Sequence, residues 1–253
     1  ILARQADLQA RPKRMALSFK ASEQADFIDF KGISYELRQS AISGDSYVAW
    51  TGKPQLYPQL PLYWDKVVDK EVAIPTAYWI PAEQHSVIQR LKLHGIELSV
   101  LDKAQKVTVQ QLSATAYKFA DKPFESRFML TEAAFSRVTQ NRNLAAGWVK
   151  VSTDQALCRL AVALLEPTAP DSFFSWGFFP GMFERTEYFE PYAIEPLIER
   201  MLAQQPELQQ QFEQAMAKDE ALKNNPRERY NWFYRQMPFY DNQYLKYPVL
   251  IQP

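Results

Sequence analysis

The order of hydrophobic and polar positions divides the chain into a strand-rich part and a helical part. Apolar and polar residues alternate at 33–37 and again at 107–109, a pattern typical of strands with one buried face. The polar run at 140–143 predicts a turn between strands. From residue 152 onward the apolar spacing becomes helical. Strands followed by helices predict an α+β fold, in which an antiparallel strand-rich N-terminal part is packed on a helical C-terminal part.

One helix is expected inside the strand-rich part, at about 82–94. Val87, Ile88 and Leu91 recur on one face of that helix. Gly95 suits the left-handed residue that follows a helix end. Residues 53–81 contain Pro54, Pro58, Pro61, Pro75 and Pro81 and predict extended chain or an edge strand, because proline removes a backbone donor.

The same patterns suggest three segments. Residues 1–14 read as a linker or the tail of a helix, 15–151 as the strand-rich part, and 152–253 as the helical part. Ser152 and Gln155 have the spacing of a capping box, which predicts a helix starting at Ser152. Further helix starts are expected at prolines, namely Pro206 and Pro226.

Charge and composition exclude several partners. The 29 basic residues balance the 29 acidic ones, and no basic stripe is present, so we expect no nucleic-acid partner. No apolar run approaches the ~20 residues of a membrane span. The single cysteine, Cys158, lies in an apolar helical run and is expected to be a buried, inert thiol.

Histidines are too few for most metal chemistry. His85 and His94 are the only two, and they fall on opposite faces of the expected helix. His94 and Glu97 have the His-x-x-Glu spacing of zinc peptidases, but no histidine follows, and Gly95 separates the two. We interpret this pair as a decoy at a helix end. No metal ligand and no catalytic residue is assigned to the chain.

An aromatic loop is the most unusual segment of the sequence. It concentrates five large rings, and these are candidates for an interface or a binding surface: Phe173, Phe174, Trp176, Phe178 and Phe179. Three interpretations stay open, which are core packing between sheet and helices, an interface with another domain, and a platform for stacking sugars or peptides.

Carboxylates flank this loop and leave a hydrolase of the glycosidase type open. The four residues concerned are Asp171, Glu184, Glu187 and Glu190. Such an enzyme needs two carboxyl groups facing each other across a cleft. Nothing in the local sequence singles out a pair, so solvated or hydrogen-bonded carboxylates are the simpler expectation.

Several segments resemble the non-catalytic C-terminal region of bacterial zinc carboxypeptidases of the metallocarboxypeptidase A-like family. In chain order they read AYWIP at 77–81, RLKLHGI at 90–96, FESRF at 124–128, LAVALLEP at 160–167, DSFFSWGFF at 171–179 and YPVL at 247–250. They keep the order of the family and spread over most of 30–250. None of them is a catalytic signature.

The resemblance implies an accessory role beside an N-terminal peptidase domain of the same protein, which would carry the zinc. The chain begins at Ile1 without a methionine, which fits a piece of a longer protein. The family implies a periplasmic or secreted parent, and no cofactor is expected in this chain. Two alternatives remain, a glycan- or peptide-binding module that uses exposed aromatics, and a carboxylate-pair hydrolase.

Overall fold

The computed structural model describes residues 13–185 and 188–253, which fall into two compact units. The first unit contains the described residues up to Ile74 together with Thr168–Pro170. The second contains Pro75–Pro167 and Asp171–Pro253. The expected linker at 1–14 lies almost wholly outside the described residues, and Arg14 already belongs to a strand.

The first unit consists of two antiparallel strand pairs. Strand β1 (Arg14–Ala21) pairs with β4 (Lys66–Ala73), and β2 (Asp26–Gln39) pairs with β3 (Ser46–Leu62). The edge-strand expectation is confirmed for the part of 53–81 that lies in β3, because among the described residues β3 pairs with β2 on one edge only. Residues 77–80 instead form a strand that is paired on both edges. None of the described residues from 13 to 74 is buried.

A six-stranded antiparallel sheet organises the second unit. Its strands, in chain order, are β5 (Ala77–Ile80), β6 (Ser99–Val100), β7 (Gln105–Phe119), β8 (Leu130–Leu144), β9 (Val149–Ser152) and β10 (Leu250–Gln252). Across the sheet the order is β6-β9-β5-β10-β7-β8. All four residues of β5 are buried, and β9 and β10 pair with its backbone on the two sides.

Helices of the second unit lie mostly in its C-terminal half. They are α1 (His85–Leu93), α2 (Cys158–Leu165), α3 (Pro191–Gln204), α4 (Pro206–Lys218), α5 (Glu220–Asn224) and α6 (Pro226–Tyr234), with a short 3₁₀ helix at Pro180–Phe183. Apolar residues of α3, α4 and α6 form one core cluster that includes Ile194, Leu208 and Phe233. Helical packing of amphipathic faces thus supports this half.

Several expectations from the sequence are confirmed. The fold class is α+β, with antiparallel strands in the N-terminal part and helices in the C-terminal part. Helix α1 ends where predicted, and Gly95 has φ +77°. Pro206 and Pro226 each begin a helix. Cys158 is buried at the start of α2.

Two local expectations are wrong. Ser152 is the last residue of β9, and α2 begins only at Cys158, so no capping box forms. The Gln155 side chain instead donates to the carbonyl oxygens of Ser152 at 2.6 Å and Glu97 at 3.2 Å. The expected turn at 140–143 lies inside β8, where its residues pair with β7.

The change from strands to helices near residue 152 lies inside the second unit. The strand-rich segment 15–151 therefore contributes to both units, with a division after Ile74. Periodicity detects a change of secondary structure, whereas a compact unit is defined by tertiary contacts, which need not change at the same residue.

Candidate functional site

The aromatic loop lies mainly in the core of the second unit. Phe173, Phe174 and Phe179 are buried, whereas Trp176 and Phe178 are half-buried. The Phe174 ring is 5.8 Å from that of Tyr247, and the Phe179 ring is 5.1 Å from the same tyrosine. Three of the five rings therefore pack as core. The role of the five rings as an interface or a binding surface stays a prediction.

Phe178 carries two arginines on its ring. The guanidinium carbon of Arg127 lies 3.6 Å from the ring centroid, and that of Arg90 lies 4.7 Å from it. Burial lowers the pKa of Arg127, and the positive charge of Arg90 lowers it further. Among the described residues, neither arginine has an acidic ion-pair partner. The Phe178 ring therefore offers both guanidinium groups a cation–π contact, although Arg90 is also exposed to solvent.

A tight turn and a glycine place Arg127 against the loop. Phe124 and Arg127 exchange two backbone hydrogen bonds of 2.9 Å, with Glu125 and Ser126 both at positive φ. Such left-handed backbone is costly for residues other than glycine, and it persists where the surroundings enforce it. Arg127 Nη1 donates to the Gly177 carbonyl oxygen at 3.3 Å.

The 124–128 turn, the end of α1 and the aromatic loop thus meet at Phe178. These three segments lie far apart in sequence, and each was among those that carry the resemblance to zinc carboxypeptidases. Their convergence brings two guanidinium groups to one aromatic ring.

A cavity of about 400 Å³ adjoins the aromatic loop, and we call it the Arg142 cavity. Phe178 and Phe179 of the aromatic loop form part of its wall, together with Trp148 and Tyr244. Its charged lining residues are Glu83, Arg142, Asp241 and Lys246. Of these, Glu83 is exposed and the other three are half-buried.

A buried glutamine fixes the orientation of Arg142. Gln111 is 5% exposed, and its Nε2 donates to the carbonyl oxygens of Tyr247 at 2.7 Å and Leu112 at 3.1 Å. With the amide so held, its Oε1 accepts from Arg142 Nη1 at 3.2 Å. The remaining guanidinium donors keep the planar geometry that suits a carboxylate.

A group of buried ionisable residues lies in the core of the same unit. Tyr78, Tyr247 and Glu166 are each at most 2% exposed. Burial raises the pKa of both tyrosines well above the ordinary value, and the negative charge of Glu166 adds to the effect. Tyr247 donates its hydroxyl to the Leu165 carbonyl oxygen at 2.9 Å, whereas the Tyr78 hydroxyl has no hydrogen-bond partner among the described residues.

The structure places His94 and Glu97 at the end of α1, on either side of Gly95. Both side chains are exposed. The backbone of Glu97 is held by Gln155, whose side chain accepts from the Glu97 amide at 2.8 Å and donates to its carbonyl oxygen. These hydrogen bonds fix the backbone that follows α1. Its interpretation as a decoy stays a prediction.

The described carboxylates around the loop are exposed. Asp171 accepts from the Trp176 indole at 3.4 Å, Glu184 and Glu190 flank the 3₁₀ helix and α3, and Glu187 lies outside the described residues. A general acid is usually shielded from solvent. Within 13–185 and 188–253, no three His, Cys, Asp or Glu side chains converge in a way that could hold a metal ion. These described residues do not fit a zinc site.

The first unit offers a different surface, an apolar groove of about 730 Å³ on the β2–β3 hairpin. Its wall consists of Phe30, Gly32, Ile33, Tyr35, Trp50, Tyr57 and Leu60. Tyr35 and Trp50 meet edge to face at 5.8 Å, and Trp50 is 68% exposed. Gly32 permits this arrangement, because a Cβ there would lie 3.0 Å from the Tyr57 ring.

Sequence reasoning found the aromatic loop but missed the basic and polar residues around it. Arg142 lies in the polar run that predicted a turn, and Gln111 lies in a strand whose sequence carries no signal of a site. Arg127 stands in one of the segments with a family resemblance, which was the available signal for it. Lys246 had no signal, because its place in the cavity depends on tertiary contacts.

Comparison with known proteins relates the chain to carboxypeptidases. Carboxypeptidase 2 of Trichophyton tonsurans and that of Trichophyton equinum are each 33% identical to it over 106 residues, and that of Trichophyton rubrum is 32% identical. The match covers 42% of this chain and 20% of each relative. The relatives are fungal, and the match extends over one fifth of their length.

No protein-family model and no solved structure matches the chain. In the part of the chain that the structure describes, no helix combines the length and the apolar character needed to cross a lipid bilayer.

Proposed function

We propose that this chain is a non-catalytic accessory region of a zinc carboxypeptidase, which supports or caps a peptidase domain of the same protein. The similarity to Carboxypeptidase 2 supports the class. In this proposal the zinc and the hydrolytic residues belong to the peptidase domain, which lies N-terminal to the accessory region. The parent is exported to the periplasm or secreted, as the resemblance implies.

The observation that carries the docking role is the exposure of the first unit. Its described residues from 13 to 74 include no buried side chain, although the hairpin has an apolar groove. Two-stranded sheets are marginally stable in water unless another element covers an apolar face. The matched relatives extend well beyond the matched stretch, and we propose that a peptidase domain occupies the groove.

The encoding gene provides the first test. We expect the codons upstream of Ile1 to encode a His-x-x-Glu motif, a later histidine and, further upstream, a signal peptide. An upstream region without the histidine and glutamate ligands would rule out the proposed parent.

Metal content and activity of this chain alone provide the second test. We expect no stoichiometric zinc by elemental analysis and no release of C-terminal residues from peptides. One tightly bound zinc per chain, or carboxypeptidase activity that survives metal-free purification, would contradict the accessory role.

A matched pair of isoleucines in the full-length protein tests the docking surface. Ile33 lines the apolar groove, whereas Ile42 lies in the turn of the same hairpin and is fully exposed. Ile33→Asp should make the 13–74 segment more sensitive to trypsin, because a charge in a covered apolar groove is costly. Ile42→Asp should leave the cleavage rate unchanged. Equal cleavage of both variants and the wild type would contradict docking through this groove.

A second candidate is a glycan- or peptide-binding module, which the exposure of Trp50 and Tyr35 favours. Exposed aromatic rings on a shallow surface suit stacking against sugars. The test is retention of this chain on insoluble glycans and peptidoglycan. Trp50→Ala should abolish retention, and Trp64→Ala should not, because Trp64 is as exposed but does not line the groove. No retention of the wild type would end this candidate.

A further inference from the structure

The Arg142 cavity has an unusual balance of charge. Two cations, Arg142 and Lys246, and two carboxylates, Glu83 and Asp241, line it. Among the described residues, none of these four forms an ion pair with another. Arg142, Asp241 and Lys246 are half-buried, and partly buried charges usually pair. Their lack of ion pairs among the described residues points to a partner that carries charges of both signs.

The remaining wall is aromatic and suits an apolar group. Trp148, Phe178, Phe179 and Tyr244 contribute ring surface, and the volume of about 400 Å³ lies at the small end of the range typical of ligand pockets. Apolar walls with a few oriented polar groups are characteristic of sites for small molecules.

One of the cations is positioned in advance. The buried Gln111 amide holds one edge of the Arg142 guanidinium through its Oε1. A guanidinium that is already oriented loses less conformational freedom when it binds a carboxylate. Arg90 and Arg127 do not line the cavity, but both contact the ring of Phe178, which does.

We propose that the Arg142 cavity binds a small zwitterion, an α-amino acid or short peptide with an apolar or aromatic side chain. Arg142 and Lys246 hold its carboxylate, Asp241 and Glu83 hold its ammonium group, and the aromatic wall receives its side chain. The inference rests on the lining of the cavity and does not depend on the proposed parent enzyme.

Calorimetric titration of this chain with L-phenylalanine tests the proposal directly. We expect saturable binding with one site per chain. N-acetyl-L-phenylalanine lacks the ammonium group and L-phenylalanine amide lacks the carboxylate, and each should bind about tenfold or more weakly. Equal affinity for all three compounds would overturn the zwitterion, as would the absence of binding by both L-phenylalanine and alanyl-phenylalanine up to about 10 mM.

Two variants on strand β8 test whether Arg142 binds the carboxylate of the ligand. Arg142→Gln should weaken binding of L-phenylalanine roughly tenfold to a hundredfold and leave that of the amide unchanged. Arg137 is the matched control, since it also donates to a glutamine, Gln110, but does not line the cavity. Arg137→Gln should bind as the wild type does. Equal losses in the two variants would overturn the assignment.

Variants of Lys246 and Asp241, which lie between α6 and β10, test the proposed ligand without relying on Arg142. Lys246→Gln should also weaken L-phenylalanine selectively, and it serves if Arg142→Gln does not fold. Asp241→Asn should weaken L-phenylalanine but leave N-acetyl-L-phenylalanine unchanged, because the acetylated compound has no ammonium group to lose. Unchanged affinity of L-phenylalanine in both variants would place its binding elsewhere.

Discussion

At the scale of single residues, two buried tyrosines show how one hydrogen bond decides whether a buried hydroxyl group stabilises the fold. Tyr78 and Tyr247 share the same core and the same neighbour, Glu166. Tyr247 donates to a backbone carbonyl, whereas Tyr78 has no partner among the described residues. A buried polar group without a partner loses its hydration and gains nothing in return.

Replacing each tyrosine by phenylalanine should therefore affect stability differently. Tyr78→Phe is expected to leave the free energy of unfolding unchanged or raise it by about 1 kcal/mol, because it removes an unsatisfied hydroxyl. Tyr247→Phe should lower it by about 1 kcal/mol, since it leaves the Leu165 carbonyl oxygen without its donor. Urea denaturation of both variants measures the difference. A larger loss for Tyr78→Phe than for Tyr247→Phe would contradict this account.

The free energy of unfolding should fall at alkaline pH, because both tyrosines are buried in their neutral form. Burial raises the pKa of Tyr78 and Tyr247 in the folded state, so the neutral form persists there. In the unfolded state these phenols ionise near about pH 10, and from there upward the unfolded chain binds fewer protons than the folded one. The free energy of unfolding should drop by up to about 1.4 kcal/mol per pH unit for each tyrosine.

The doubly substituted variant provides the comparison for this pH dependence. With Tyr78 and Tyr247 both replaced by phenylalanine, the decline above about pH 10 should be shallower than in the wild type. Denaturation series between pH 8 and pH 11 measure both slopes. Parallel curves would show that other groups dominate the alkaline transition.

At the scale of elements, the meeting of the 124–128 turn with the aromatic loop depends on one glycine. Gly177 has φ +66°, and a Cβ there would collide with the carbonyl oxygen of Phe128. Gly177→Ala should thus lower the free energy of unfolding by at least about 2 kcal/mol, from backbone strain and the collision together. Thermal denaturation measures the loss.

Gly181 is the matched control for this substitution. It lies four residues further on, and a Cβ there would meet nothing within 4 Å. Gly181→Ala should change stability by less than about 0.5 kcal/mol. A similar loss in both variants would show that the loop tolerates no side chain at all, and the specific contact with Phe128 would lose its importance.

Elements with strong periodicity were predictable, and those set by distant contacts were not. Helix α1 and the helices that begin at Pro206 and Pro226 follow from apolar spacing and end signals. The capping box at Ser152 failed because Gln155 bonds instead with the backbone of Glu97, 58 residues away. The polar run at 140–143 pairs with β7, and polarity alone does not distinguish a turn from an exposed strand.

At the scale of the whole molecule, the two units differ in how much they bury. Apart from Ala169 in the 168–170 segment, the buried core residues belong to the second unit, and the described residues from 13 to 74 contribute none. Alternation in the sequence predicted strands with an apolar face there. It could not show whether that face is covered, because a face can be covered by residues anywhere in the chain or by a partner.

Hydrogen exchange on this chain alone should reveal that difference. Both β2–β3 and β7–β8 are long hydrogen-bonded hairpins, but only the second of these packs on a buried core. Amides of β2 and β3 should exchange faster by several orders of magnitude, because opening them exposes little apolar surface. Mass spectrometry of peptic peptides measures the rates. Equal protection of the two hairpins would contradict an uncovered first unit and weaken the docking proposal.

Strand β10 has a consequence for the order in which the molecule forms. It lies between β5 and β7, and Gln252 bonds with the Trp79 indole across 173 positions of sequence. Residues synthesised early must wait for this late segment before the sheet can close, and closure over such a span is slow. During translation the growing polypeptide then exposes the facing edges of β5 and β7, and unpaired strand edges of this kind are prone to association with other chains.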